Sequence, residues 1–371
     1  MIIGIDANEA NVLSRVGSNQ YAFEILSNIE KLDHFNQFII YLRDDPVADL
    51  PKARKNWKYE VFGPKPLWTQ WRLPLKLALE KNRPNVFYSL GHYAPRFSPM
   101  PTVINIMDLA FLRFPQLFLK KDVIQLTSWT NYSVKNAHHI ITISQNSAKD
   151  IANYYDFPLD RITIAYPGFD LKKFKKPTPK DIDIVKTKYN INGKYILYLG
   201  TLQPRKNLVR LLKAFETLPS KFDDTILVIA GKKGWLYQEF VDHLNKSAKK
   251  HKIRLTGFVD FADISALYSG AECFTLVGLY EGFGIPPLEA LSYNTIPIVS
   301  NTASLPEVVG GGGILVDPYS ITSIRKGLEK ALKLSQVEKI KKIKKSQKHI
   351  SKFSWQTSAK KILEVLYEIA A

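Results

Sequence analysis

Apolar residues fall in short continuous runs, separated by longer stretches in which they recur at the three-to-four spacing of a helix face, and this alternation repeats along the whole chain. Continuous apolar runs predict strands buried on both faces, with the amphipathic stretches as helices that cover them. In the first half the predicted strands are Ile2–Asp6, Gln37–Tyr41, Val86–Ser89, Thr102–Met107, His139–Ser144 and Arg161–Ala165. Helices such as Ser18–Ile29 and Val123–Lys135 lie between them. A second series follows: Tyr195–Gly200, Thr225–Ala230, Ile253–Thr256, Cys273–Val277, Ile296–Ser300 and Gly313–Val316, with helices including Leu208–Phe215, Gln238–Lys250 and Pro287–Leu291.

Between the two series the composition breaks. Pro167 to Lys180 holds three prolines, a glycine and a run of lysines, which predicts a linker. The expected organisation is an α/β chain with one Rossmann-like domain over 1–168, a linker over 169–185 and a second such domain from 186. Open parallel sheets take ligands beyond the carboxyl ends of their strands, so a cleft there is the expected site.

Composition narrows the class. The 371 residues are 45% hydrophobic and 23% charged, as in a globular protein long enough for two domains. One cysteine, Cys273, within an apolar run, excludes an internal disulfide framework and reads as a buried, inert thiol. Met1-Ile-Ile-Gly-Ile-Asp6 enters a strand pattern with no signal-peptide features ahead of it, and no apolar run reaches the roughly 18–20 residues of a membrane span. A cytoplasmic location is therefore expected, with peripheral contact at the inner face of the cytoplasmic membrane as a further expectation.

A net charge of +18 favours anionic partners: nucleic acid, lipid headgroups or acidic small molecules. The densest basic run, Lys339 to Lys352, carries Val337, Ile340 and Ile343 at helical spacing; it reads either as a solvated helix face or as a contact with an anionic membrane. Nucleic-acid binding is disfavoured, because most aromatics sit inside strand and helix patterns. The exception is Trp57, Trp68 and Trp71 beside Lys55, Lys58 and Lys65, which read as a membrane contact, with packing as the alternative for Trp68 and Trp71.

Three segments carry candidate chemistry. In Tyr198-Leu-Gly200-Thr-Leu-Gln-Pro-Arg205-Lys206-Asn, a strand ends and two cations precede a helix, where they oppose its dipole unless an anion sits there. They are either solvated surface charges or a diphosphate clamp, Arg205 forking onto oxygens and Lys206 acting as a point charge. In Gly278-Leu-Tyr-Glu281-Gly-Phe-Gly284-Ile-Pro-Pro287-Leu-Glu289, glycines allow close backbone approach and the prolines open a helix. Glu281 then lies on the loop, and Glu289 in the first helical turn. Arg15-Val-Gly17-Ser-Asn follows the first strand, as structural punctuation or a phosphate-binding turn.

With these segments in place, the chain resembles the retaining GT-B glycosyltransferases of the large group-1, family-four type, which includes bacterial mannosyl- and glucosyltransferases of lipopolysaccharide and exopolysaccharide assembly. The resemblance runs through Trp68 to Pro74, Asp108 to Pro115, Ile141 to Asp150, Gly200 to Asn207, Ala230 to Trp235, Tyr268 to Ala271, Leu279 to Ala290 and Ser304 to Val309. Glu281 and Glu289 keep the family's Glu-x7-Glu spacing.

The resemblance implies two Rossmann-like domains facing across a cleft, the second ending near 352, and a closing helix over 353–371 that crosses back to pack on the first. It also implies roles. Arg205 and Lys206 hold the donor diphosphate, with backbone groups at Gly284 and Ile285; Glu289 binds the donor ribose; Glu281 touches the transferred sugar. Gly17 lets its loop close over the phosphates, Gly200 lines the site, and the base lies near Gly257, Phe258 and Val259. The family often has His-Asp-Leu where this chain reads Met107-Asp108-Leu109, so either Asp108 covers the role or serves only as a strand-end carboxylate held by a turn.

Gly310 to Gly313 and Asn294 are further departures, expected to add flexibility in turns. Asp181-Ile-Asp183 reads as a helix start rather than a manganese motif, and no metal or cofactor is expected. The implied donor is a nucleotide-diphosphate sugar, GDP-mannose or UDP-glucose, and the acceptor a saccharide or lipid-linked saccharide. A nucleotide-sugar epimerase and a non-catalytic basic surface-binding module are the rival readings.

Overall fold

Thirteen strands form two all-parallel sheets in a computed structural model that describes residues 1–169 and 176–371. The chain divides into two units. One comprises Met1–Arg113, Lys120–Gly168 and Phe353–Ala371; the other comprises Phe114–Leu119 and Phe169–Lys352.

In the first unit the strands are β1 (Ile2–Asp6), β2 (Gln37–Leu42), β3 (Trp57–Val61), β4 (Val86–Ser89), β5 (Thr102–Ile106), β6 (His139–Thr142) and β7 (Ile162–Ile164). Their spatial order is β3-β2-β1-β4-β5-β6-β7. The central strands β4 and β5 are buried at every position, which is why they read as unbroken apolar runs. Winding runs outward from β1 to β3 and then resumes at β4 on the other side of β1, so the chain reverses direction between β1 and β4. The closing helix Trp355–Ala370 packs in this unit against Ser18–Leu32. Tyr21 and Trp355 meet edge to face at 5.7 Å, and Tyr367 Oη donates to Asp33 at 2.6 Å.

In the second unit the strands are β8 (Lys194–Leu199), β9 (Thr225–Ala230), β10 (Ile253–Gly257), β11 (Cys273–Leu276), β12 (Pro297–Ser300) and β13 (Ile314–Val316), in the order β10-β9-β8-β11-β12-β13. The reversal here falls between β8 and β11. At such a point neighbouring connections leave toward opposite faces and open a crevice at the strand ends.

Several sequence expectations need correction. Strand β3 is absent from the expected set, although Trp57, Tyr59 and Val61 alternate with Lys58 and Glu60 as an edge strand should. Trp57 is a core residue rather than a surface one and lies against Phe38, while for Trp68 the packing alternative holds: it packs with Leu73, Leu77 and Phe87 and donates to the Phe62 carbonyl at 2.8 Å. Trp71 is exposed rather than packed. The linker ends before 185, because Thr178 and Asp181 form a reciprocal capping box that starts the helix Pro179–Lys188; the rest of that expectation, residues 170–175, lies outside the described residues.

The glycine run at 310–313 serves close approach, not flexibility. A side chain at Gly310 would meet the His349 ring at 2.8 Å, one at Gly312 would meet Ser346 at 2.5 Å, and His349 Nε2 lies 2.7 Å from the Glu307 carbonyl. The lysine-rich helix Gln336–Ile350 can lie this close only because the run lacks Cβ atoms. Cys273 is buried, and burial pushes its thiol up to about 12.

Candidate functional site

In the second unit the loops after β8 and β11 bring Arg205, Lys206 and Glu281 together at the reversal point. Pro204–Lys206 forms one 3-10 turn, and Asn207 adopts a left-handed conformation before the helix Leu208–Glu216. Lys206 Nζ donates to both Glu281 carboxylate oxygens, at 2.7 and 2.9 Å, and Arg205 donates to Oε2 at 3.0 Å and to the Tyr280 carbonyl. Glu281 is 6% exposed, and the Arg205 and Lys206 side chains are 15% and 14% exposed. Burial pushes the Glu281 carboxyl upward, but Lys206 and Arg205 more than reverse this and hold it below its usual value. Two cations share one buried carboxylate at the strand ends.

The loop that carries Glu281 is pinned at several points. Ser300 donates to the Gly278 carbonyl at 2.6 Å, Leu279 N donates to Arg205 O at 2.9 Å, and Asn207 Nδ2 donates to Val277 O at 2.9 Å. Ser304 Oγ sits 2.8 and 2.7 Å from the carbonyls of Glu281 and Phe283. Ser304, Asn207 and Ser300 escape a search for charged or glycine-rich motifs because their work is on the backbone. Gly284 has φ 101°, and a Cβ there would lie 2.7 Å from Leu305, so the turn into the helix Pro286–Ser292 requires glycine.

Glu289 stands apart from the triad. Its Oε2 accepts from Tyr268 Oη at 2.8 Å, and burial raises its carboxyl while Tyr268 partly offsets the rise. Phe258 is exposed and Val259 buried just beyond β10, two strands from β8. Gly200 N bonds Ala230 O at 2.9 Å where β8 ends. A cavity of about 270 Å³ adjoins the same loop, lined by Gln203, Asn207, Arg210 and Tyr237 but not by Lys206 or Glu281.

The remaining expected residues, Gly17 and Asp108, lie in the first unit. Gly17 caps Ser18–Leu32 with φ 55° and open space around it. Arg15 of the same loop forks onto Asp49 at 2.5 and 2.8 Å. Asp108 Oδ1 accepts from Ala110 N at 2.9 Å, a turn that starts the short helix Ala110–Arg113.

Two residues at this unit's own reversal point were not anticipated from sequence. Asp6 ends β1 and is buried, with Oδ1 accepting from Asn8 N and Nδ2 at 3.1 and 2.7 Å; burial raises it to about 6 despite those bonds. His92 follows β4, edge-on to Tyr93 and Phe111 at 5.5 and 6.1 Å, and its buried Nε2 has no hydrogen-bond partner. Burial lowers His92 to about 4, with Asp108 acting in the opposite direction. A histidine in a Gly-His-Tyr context has no periodicity to mark it. No group of three or more metal-ligating side chains gathers among the described residues.

The architecture and the triad define an α/β protein with two Rossmann-like units and a buried cluster of two cations and a carboxylate on the second. Residues 180–350 match the family model described as glycosyl transferases group 1, and residues 16–173 match that described as glycosyltransferase family 4. The chain belongs to the GT-B glycosyltransferases.

It is 30% identical over 249 residues to O-antigen chain mannosyltransferase B of Escherichia coli, an alignment covering 67% of this chain and 65% of that protein. It is 31% identical over 205 residues to the serotype-specific mannosyltransferase WbdA of Escherichia coli, covering 53% of this chain and 25% of the relative. The chain thus spans about two thirds of the first relative and a quarter of the second. In fold it is similar to HepE of Anabaena, solved in complex with UDP and glucose, with a TM-score of 0.74, 17% identity and 99% of each chain covered.

Proposed function

We propose that this chain transfers a hexose, mannose being the first candidate, from a nucleotide-diphosphate sugar to a saccharide or lipid-linked saccharide, with retention of anomeric configuration, in the assembly of cell-envelope polysaccharide or glycolipid. The observation that carries this reading is the Arg205–Lys206–Glu281 triad at the reversal point of the second sheet. The names of the O-antigen relatives support mannose, and the UDP complex of HepE supports a nucleotide donor, GDP-mannose or UDP-glucose.

In this reading Arg205 and Lys206 neutralise the departing diphosphate, since stabilising developing charge is usually the largest catalytic term. Glu281 orients the cations and meets the transferred sugar, and Glu289, steadied by Tyr268, binds the ribose. Phe258 and Val259 border the base; two strand spacings, about 10 Å, separate their strand from β8. The acceptor hydroxyl attacks from the face the diphosphate leaves, so no enzyme nucleophile is needed. Asp108 and His92 of the first unit are candidate hydroxyl-binding groups, with His92 neutral at physiological pH. Transfer is expected to persist in EDTA.

A thermal-shift panel of GDP, UDP, ADP and their sugars tests the donor, because a ligand that binds only the folded state raises its stability. The matching nucleotide should raise the melting temperature of the wild type and leave Lys206→Ala unmoved. Equal shifts in both proteins would remove the clamp from the reading.

A further inference from the structure

The cavity of about 270 Å³ in the second unit adjoins the loop that carries Arg205 and Lys206, yet neither cation lines it, and neither does Glu281 or Glu289. Its walls come mainly from the helices Leu208–Glu216 and Gln238–Lys246 and the loops before them. Leu208, Leu236, Phe240 and Leu279 supply apolar surface. Leu117 completes the lining: Trp235 Nε1 donates to its carbonyl at 2.8 Å, and the rings of Phe118 and Trp235 lie 5.8 Å apart.

The polar groups of this lining are not matched to one another. Gln203 is 7% exposed, yet its Oε1 is buried with no hydrogen-bond partner. A buried acceptor in that state carries its full desolvation cost until an O–H or N–H donor reaches it. Arg210 donates to Asn207 Oδ1 at 3.0 Å through one Nη, while Lys213 and Glu239 form no ion pair among the described residues. The lining therefore offers acceptors at Gln203 and Glu239, donors at Arg210 and Lys213, and at Tyr237 a phenol that can do either.

Size and this mixture select the occupant. The volume falls just below the ~300–1,000 Å³ of pockets that hold drug-sized ligands, which suits one small ring and not a nucleotide. An apolar guest would leave Gln203 Oε1 unpaired, a bare anion would meet the Gln203 and Glu239 oxygens, and a cation would meet Arg210 and Lys213. A neutral pyranose carries hydroxyls that donate and accept along its edge and C–H groups on its faces, so it matches every wall. The other cavity, about 240 Å³ in the first unit beside Tyr132 and His138, leaves no buried side-chain polar atom of its lining without a partner.

We infer that the cavity between Gln203, Arg210 and Tyr237 is a saccharide-binding site that seats one hexopyranose unit, with a sugar hydroxyl donating to Gln203 Oε1. The site is separate from the Arg205–Lys206–Glu281 triad, goes beyond the proposed transfer reaction, and is tested without a nucleotide.

The full chain is titrated calorimetrically with methyl α-D-mannopyranoside, mannose 6-phosphate and inorganic phosphate in turn. The mannoside is expected to bind the wild type and Lys206→Ala alike, with a Kd of about 1–10 mM. Gln203→Leu should weaken it at least about fivefold, and Val209→Trp, which fills the cavity from the helix Leu208–Glu216, should abolish it. Gln203→Leu removes an unpartnered acceptor, so its melting temperature should match or exceed that of the wild type, which separates loss of a ligand contact from loss of the fold. Mannoside binding unchanged in both cavity variants, binding lost in Lys206→Ala, no mannoside binding at about 50 mM, or binding of the two phosphates without the mannoside would each overturn the inference.

Discussion

Replacing Glu281 by glutamine removes the one carboxylate that Arg205 and Lys206 share. The nitrogen–oxygen distances are 2.7, 2.9 and 3.0 Å. At about 3 Å and an effective dielectric constant of about 20, each pair attracts by about 5–6 kcal/mol, most of which is offset by the burial of all three groups. Removing one partner of such a buried pair costs about 3–5 kcal/mol, and glutamine, which keeps one acceptor oxygen, belongs at the lower end. About 3 kcal/mol corresponds to a melting temperature lowered by ~6–12 °C for a unit of this size.

The sign with pH follows from the depressed carboxyl. Its stabilisation is present above the usual value of 4.5 and is lost as pH falls through its lower folded value, so the gap between wild type and E281Q should close in acid. Glu281→Gln also removes the negative charge that competes with an added anion at Arg205 and Lys206. Nucleoside diphosphate should therefore bind the variant about tenfold more tightly by titration calorimetry and recover much of the lost melting temperature, while sugar transfer falls. A variant with the wild-type melting temperature and unchanged nucleotide affinity would refute both the strength of the triad and its role as the anion site.

Asp6→Asn should stabilise the first unit at pH 8. Raising the carboxyl from 3.8 to about 6 spans about 2.2 pK units, or up to ~3 kcal/mol, and the gain in melting temperature should vanish below pH 4, where the wild type is protonated. His92→Leu removes a buried nitrogen that has no partner, so the melting temperature should hold or rise while kcat falls at least tenfold; a fall in stability with kcat intact would make His92 a structural residue. Trp68→Ala empties a core position and breaks the bond to Phe62 O, costing about 3–5 kcal/mol in urea unfolding, whereas Trp71→Ala should stay within about 0.5 kcal/mol.

What could be read from the sequence followed from burial. Strands covered on both faces, such as β4, β5 and β11, announce themselves as apolar runs, and their ends then fix where loop residues fall. Arg205, Lys206 and Glu281 were legible because charged residues stood at those ends beside glycine. Their mutual pairing was not, since 75 or 76 residues separate the partners and only the reversal between β8 and β11 joins them. The edge strand β3 was hidden because half its side chains face water, and the polarity of Lys58 and Glu60 masked the alternation of Trp57, Tyr59 and Val61. The same masking, inverted, concealed the exposure of Trp71: counted as an apolar residue, it looks like core.

Stability alone does not account for the groups at the two reversal points. Asp6 sits where burial penalises its ionised form, and His92 holds a buried nitrogen without a partner. Each is a cost that substitution by an uncharged or apolar residue of similar size would remove. In the second unit the cost takes another form, two cations and one carboxylate held together out of water. Perturbed groups of this kind collect where a fold binds charged ligands, because only the bound state relieves them. Each unit then carries groups of its own kind: cations on the second, and on the first a neutral imidazole and a carboxylate, which suit hydroxyls rather than phosphates.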